Sequence, residues 1–176
     1  MRSETTMTSS AHLWAIGYDH EDRAIQVRTL IISLAGPEHS LRLLEIAVVV
    51  RSPDGSVVFD GKPFAAEHHP LNGGMLSLLA GFALAVPLLT DEAVARLFDS
   101  PASELSESVG INETFKKEIA SMIRPGTCAL LVLDVAENLS AILTRLRGLG
   151  GKILKSNVDI ERAQLIQSTL AQTACA

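Results

Sequence analysis

Hydrophobic and polar positions alternate along this chain with two periods, near two and near 3.6 residues, and these divide it into strands and helices. His12 to Tyr18 (HLWAIGY) is a short apolar run that predicts a strand. Asp19 follows as the expected helix N-cap, with Glu21 and Asp22 in the first turn, where carboxylates complement the helix dipole. Ala24, Val27, Leu30, Ile31 and Leu34 repeat at helical spacing, and Gly36-Pro37 ends that helix. Leu43 to Arg51 (LLEIAVVVR) predicts a second strand, rich in β-branched residues. Ser52-Pro53-Asp54-Gly55 is turn chemistry, from which Ser56 to Asp60 returns as the second arm of a hairpin. Gly61 to Pro70 reads as loop.

The pattern continues differently after the loop. Leu71 to Leu89 (LNGGMLSLLAGFALAVPLL) carries no charge and predicts one apolar helix, with Pro87 bending or stopping it near its end. Asp91 to Phe98 predicts a short amphipathic helix, and Ser100 to Ser108 (SPASELSES) a flexible polar segment. Asn112 is placed to cap a helix bearing Phe115, Ile119, Met122 and Ile123 on one face, stopped by Arg124-Pro125-Gly126. Cys128 to Leu133 predicts a third main strand. Leu139, Ile142, Leu143 and Leu146 mark a helix closed by Gly148 and Gly150-Gly151. Lys152 to Val158 is the last strand, and Asp159 caps a terminal helix carrying Ile160, Ala163, Ile166 and Leu170.

The order is βαβ, an insert, then βαβ. Tight connections predict parallel pairing within each unit and right-handed crossovers. Two such units combine into an α/β (α+β) ferredoxin-like sheet with helices on one face. Residues 1–10 are then a disordered tail, 11–158 one domain with an insertion over 52–126, and 159–176 a C-terminal helix and tail. Small residues recur every fourth position in the apolar stretch: Gly73, Ser77, Gly81 and Ala85. On a helix this spacing makes a smooth stripe that admits close approach of another helix, with Leu78, Leu79 and Phe82 as apolar contacts beside it.

Composition narrows the function. The chain has 176 residues, enough for one domain with a real core, and 47% of them are hydrophobic. Aromatics make up only 4%, so the core must be aliphatic. A net charge of −5 argues against a nucleic-acid binder, and the run of Arg145, Arg147, Lys152 and Lys155 reads as a solvated helix end. Cys128 lies in an apolar run and Cys175 is next to last, so no structural disulfide is expected. The polar start MRSETTMTSS has no apolar signal core, which places the protein in the cytoplasm by default.

No constellation of residues announces chemistry. His68-His69 are adjacent and point apart on regular structure, so they read as exposed loop histidines rather than a metal site. Asp19-His20-Glu21-Asp22 is explained by helix capping, and Asp54-Gly55 lacks the spaced ligands of a calcium loop. Gly148 to Gly151 follows a helix and precedes a strand, the reverse of a phosphate cradle. The expectation is therefore no catalytic residue, no cofactor and no metal.

Four segments resemble domain-of-unknown-function family 1269, a bacterial family often labelled a membrane protein. They are HLWAIGYDHEDRA, EIAVVVRSPDG, GINETFKKEIASMIRPGTCALLVL and RLRGLGGKILKSNVD. The resemblance implies a glycine-rich helical hairpin as the insert. This chain keeps only the first arm, because DEAVARLFDS and SPASELSES are polar where the second arm would lie. A helix of about 28 Å from Leu71 to Leu89 has the length to span a bilayer. Two βαβ units in one sheet, however, require two crossings or none, and the charges after Leu89 penalise a second one.

The sequence thus points to a non-enzymatic assembly or scaffold protein. It would form homo-oligomers through its glycine-ladder helix and dock on a protein partner or membrane surface. The alternatives are a small-molecule-binding regulatory domain of ferredoxin-like fold, or a membrane-inserted protein.

Overall fold

The computed structural model describes residues 10–35, 42–63, 74–85, 91–135 and 152–174, together with Ile142 and Thr144. The strands are β1 (Ser10–Tyr18), β2 (Leu43–Arg51), β3 (Val57–Phe59), β4 (Lys62–Pro63), β5 (Cys128–Asp134) and β6 (Lys152–Asp159). They form a six-stranded sheet in the order β4-β3-β2-β5-β1-β6. The helices are α1 (Glu21–Leu34), α2 (Met75–Ala83), α3 (Asp91–Phe98), α4 (Ala102–Ser108), α5 (Glu113–Met122) and α6 (Ile160–Ala174).

All the ladders are antiparallel, which corrects the expected parallel pairing within each βαβ unit. β1 and β2 do run the same way, but β5 lies between them and pairs with both. β1 in turn lies between β5 and β6. Each strand of one unit therefore meets strands of the other, the interleaving of a split βαβ sheet and consistent with the ferredoxin-like expectation. β3 and β4 extend this sheet as a hairpin. Its turn residues Asp60 and Gly61 both have positive φ, 52° and 84°, as a two-residue type I′ connection requires.

Side chains on successive strand residues divide between two cores, as a period of two dictates. On one face Trp14, Ile16, Tyr18, Val48, Cys128, Leu130 and Val132 pack against Ala24, Val27 and Ile31 of α1. Ile142 joins this core; it is all that the described residues hold, with Thr144, of the helix expected over 139–146. On the other face Leu13, Ala15, Ala47, Val49, Leu131 and Leu133 meet the insert and α6. Helices thus cover both faces, not one. The reason lies in composition: all seven residues of β5 are buried, so neither of its faces can be left to water.

Local chemistry sets the ends of most elements as the pattern predicts. Asn112 accepts the Phe115 amide at 2.9 Å and caps α5, and Asp159 accepts the Arg162 amide at 3.0 Å and caps α6. Some local expectations are corrected. His20, not Asp19, occupies the N-cap of α1, and its side chain makes no capping bond. Ser100 to Ser108 is not an irregular segment: Ala102–Ser108 is α4, with Leu105 and Ser106 buried. Of the tail expected over 1–10, Ser10 opens β1, and of the loop expected over 61–70, Lys62–Pro63 forms β4; residues 1–9 and 64–70 and the segment 148–151 lie outside the described residues.

Candidate functional site

The apolar helix is the feature most heavily marked by sequence, and its seat is specific. α2 runs only from Met75 to Ala83. Leu84 closes it, its amide bonding Ala80 at 2.8 Å, and Ala85 turns into the left-handed region with φ 55°. No side chain from its own sequence caps the N-terminus, because the N-cap is Gly74. Glu45 of β2 supplies the cap instead. Its two carboxylate oxygens accept the amides of Met75 at 2.7 Å and Leu76 at 2.9 Å. The negative group meets the positive end of the helix dipole while satisfying two orphan donors. A Cβ on Gly74 would collide with that carboxylate, so glycine there keeps the cap accessible. Gln167 of α6 donates to the Gly74 carbonyl at 3.3 Å from the other side.

The predicted stripe divides accordingly. Ser77 and Gly81 lie on α2 and are buried, as are Leu78, Leu79 and Phe82. α2 contacts α4, α5, α6, β2 and β5 of the same chain. Ala85 is exposed and beyond the helix, which breaks the four-residue repeat at its last member. Gly73 lies outside the described residues, as do His68 and His69.

A second cluster is polar and was not singled out by the pattern. Asp134 ends β5 with no solvent exposure, directly across the ladder from His12. Its Oδ1 accepts the Trp14 indole N–H at 2.8 Å and lies 3.7 Å from His12 Nδ1. Lys155 of β6 places its ammonium 5.1 Å from the centre of the Trp14 ring, a cation–π distance. Burial pushes the Asp134 carboxyl above its ordinary range, opposed by the Trp14 hydrogen bond and by the charges of His12 and Lys155. Its sequence signal is a lone carboxylate closing an otherwise apolar strand, CALLVLD.

Other reactive groups are muted. Burial raises the Cys128 thiol to about 11, and the nearby Glu21 and Asp19 carboxylates add to this, so it is a packed thiol rather than a nucleophile. A shallow cleft of about 100 Å³ lies beside the end of α2, lined by Arg51, Lys116, Leu84 and Ile119 among others. Arg51 is spent structurally there: its Nη1 donates to the Ile123 carbonyl at 3.2 Å, at the C-terminal end of α5. Among the described residues, no group of three His, Cys, Asp or Glu side chains could hold a metal ion. Among the same residues, no helix is long and apolar enough to cross a membrane.

These features define a class: an α/β domain with an interleaved antiparallel sheet, whose helical insert is folded back onto the sheet face opposite α1. A family model described as Protein of unknown function (DUF1269) matches residues 70–171, more than half of the chain, and the chain belongs to that family. The match takes in the whole apolar stretch, β5 and β6, and the greater part of α6. No curated protein and no solved structure matches the chain.

Proposed function

We propose that the protein is a non-enzymatic assembly module that forms a homo-oligomer, with its apolar helix serving inside each subunit rather than between subunits. One observation carries the reading: Leu76 to Ala83, with Ser77 and Gly81 of the stripe among them, are all buried within a single chain. What is left for a second copy is the outer surface. Ile25 and Ile32 stand seven apart on α1 and are 45% and 46% exposed. Residues seven apart lie on one helix face, so the two make a self-complementary strip that a two-fold pair of α1 helices would cover.

Size-exclusion chromatography with light scattering on the full chain tests this, alongside two variants. The wild type is expected to run as a discrete oligomer. Gly81→Leu overpacks the core and lowers the melting temperature, at a cost of roughly 1–3 kcal/mol, while the folded fraction keeps its stoichiometry. Ile25→Lys with Ile32→Lys reduces the stoichiometry and leaves the melting temperature of the subunit nearly unchanged. A wild type that is monomeric at every concentration overturns the proposal. So does an oligomer that Gly81→Leu dissociates at unchanged melting temperature.

A further inference from the structure

The Asp134 side chain is enclosed on every side, and its two oxygens are treated differently. Oδ1 holds the Trp14 indole at 2.8 Å. Oδ2 is buried with no hydrogen-bond partner among the described residues. An ionised carboxylate with a buried, unbonded oxygen is costly, whereas a proton on that oxygen removes the charge and leaves the Trp14 bond in place. We propose that Asp134 is a buried proton-binding switch, taking a proton on Oδ2 in the folded chain and releasing it, with loss of stability, as the pH rises.

The surrounding groups set the balance. His12 of β1 is 3.7 Å from Oδ1, too long for a hydrogen bond but close enough for its imidazolium to favour the ionised form. Lys155 of β6 acts in the same direction from above the Trp14 ring. β2 places Leu43 opposite Asp134, and its carboxylate Glu45 is engaged at the N-terminus of α2. Burial outweighs the two cations and the indole bond, so the folded chain holds the proton to higher pH than an unfolded one. The sign follows from linkage. The contribution is fully present below the unfolded value of about 3.9 and is lost as pH rises through the higher folded value. Charge then appears at the end of the sheet where β1, β5 and β6 meet, next to the one Trp of the chain.

Thermal unfolding of the full chain between pH 3.5 and 7, for wild type and Asp134→Asn, reads the switch. The amide keeps an acceptor for Trp14 and cannot ionise. The melting temperature of wild type is expected to fall relative to Asp134→Asn as pH rises above about 4. Parallel curves overturn the proposal. A carbon-13 titration of the Asp134 carboxyl in the wild type stands independently of whether the variant folds. A midpoint above about 3.9 supports the switch, and a midpoint at or below about 3.9 sinks it. Trp14 fluorescence following the same midpoint supports it further, because the indole bonds the titrating group.

Discussion

Glu45 is a single carboxylate within an apolar, β-branched strand, and by pattern alone it resembles an interruption. In the fold it is the N-terminal cap of a helix 30 residues away in the chain, with bonds of 2.7 and 2.9 Å to two successive amides. Charge-assisted bonds of this kind are stronger than neutral ones, and their loss would leave two helix donors without partners. Glu45→Ala is therefore expected to cost roughly 1–3 kcal/mol, read as a lower midpoint in urea at unchanged slope. A loss under about 0.5 kcal/mol would mean that water replaces the carboxylate at no penalty. Gly110 is the second such residue. Its φ is 103°, and a Cβ there would run into the Asn157 carbonyl, because the α4–α5 link lies against the outer edge of β6. Ser156 donates to the Gly110 carbonyl at 2.6 Å, and the Asp159 amide donates to Val109 at 3.0 Å. These bonds occupy part of an edge that would otherwise invite another strand. Neither role is visible from local sequence, since both depend on partners brought in by the tertiary fold.

α2 and α4 show how an element's setting decides its meaning. Leu76, Leu78, Leu79 and Phe82 are each at most 4% exposed. Burying a large apolar side chain contributes about 1.5–3 kcal/mol, so these four together contribute about 6–12 kcal/mol. That is comparable to the whole net stability of a typical domain, so exposing this face of α2 to water would be costly. Of the stripe, Ser77 and Gly81 are buried on α2, and which surface they would meet was not legible, because a helix pattern carries no information about its partner. α4 shows the opposite error. SPASELSES is rich in serine, which favours turns, yet Ser106 and Ser108 donate back to the carbonyls of Ser103 and Leu105 at 2.8 and 2.6 Å. Leu105 is 3% exposed and fixes the helix to the core. Leu105→Ala is expected to destabilise by roughly 2–5 kcal/mol in equilibrium unfolding. A flexible segment would lose under about 0.5 kcal/mol, and that result would count against α4 as a core element.

For the molecule as a whole, the insert completes a sandwich. Its helices and α6 cover the sheet face opposite α1, so β5 lies at the centre of the main strands and is covered from both sides. Small residues on the insert side, including Ala11, Ala15, Ala47 and Ala129, let the helices approach. Gly17 goes further, since a Cβ there would meet the Met122 side chain. In native-state hydrogen exchange the amides of Ala129 to Leu133 should therefore be the slowest, opening only with global unfolding. The amides of β3 and β4, at the edge, should exchange through local opening. Equal protection across all six strands would contradict this ordering.

Much of the architecture follows from the sequence alone. Periodicity located β1, β2, β5, β6, α1, α3, α5 and α6, and Asn112 and Asp159 marked two helix starts by chemistry that acts within four residues. Length, aliphatic composition and the order βαβ–insert–βαβ determined the fold class in the same way, since each depends on spacing along the chain. Tertiary structure alone decided the rest: that β5 enters between β1 and β2, that the insert folds onto the second face, and that Ser77 and Gly81 are buried within one chain. It alone brought Glu45 to α2, and Asp134 to Trp14 and His12. The physical reason is range. Helix and strand periods and most caps are local and can be read from neighbouring residues, whereas strand order, burial and the pairing of lone charged groups arise between segments 30 to 120 residues apart.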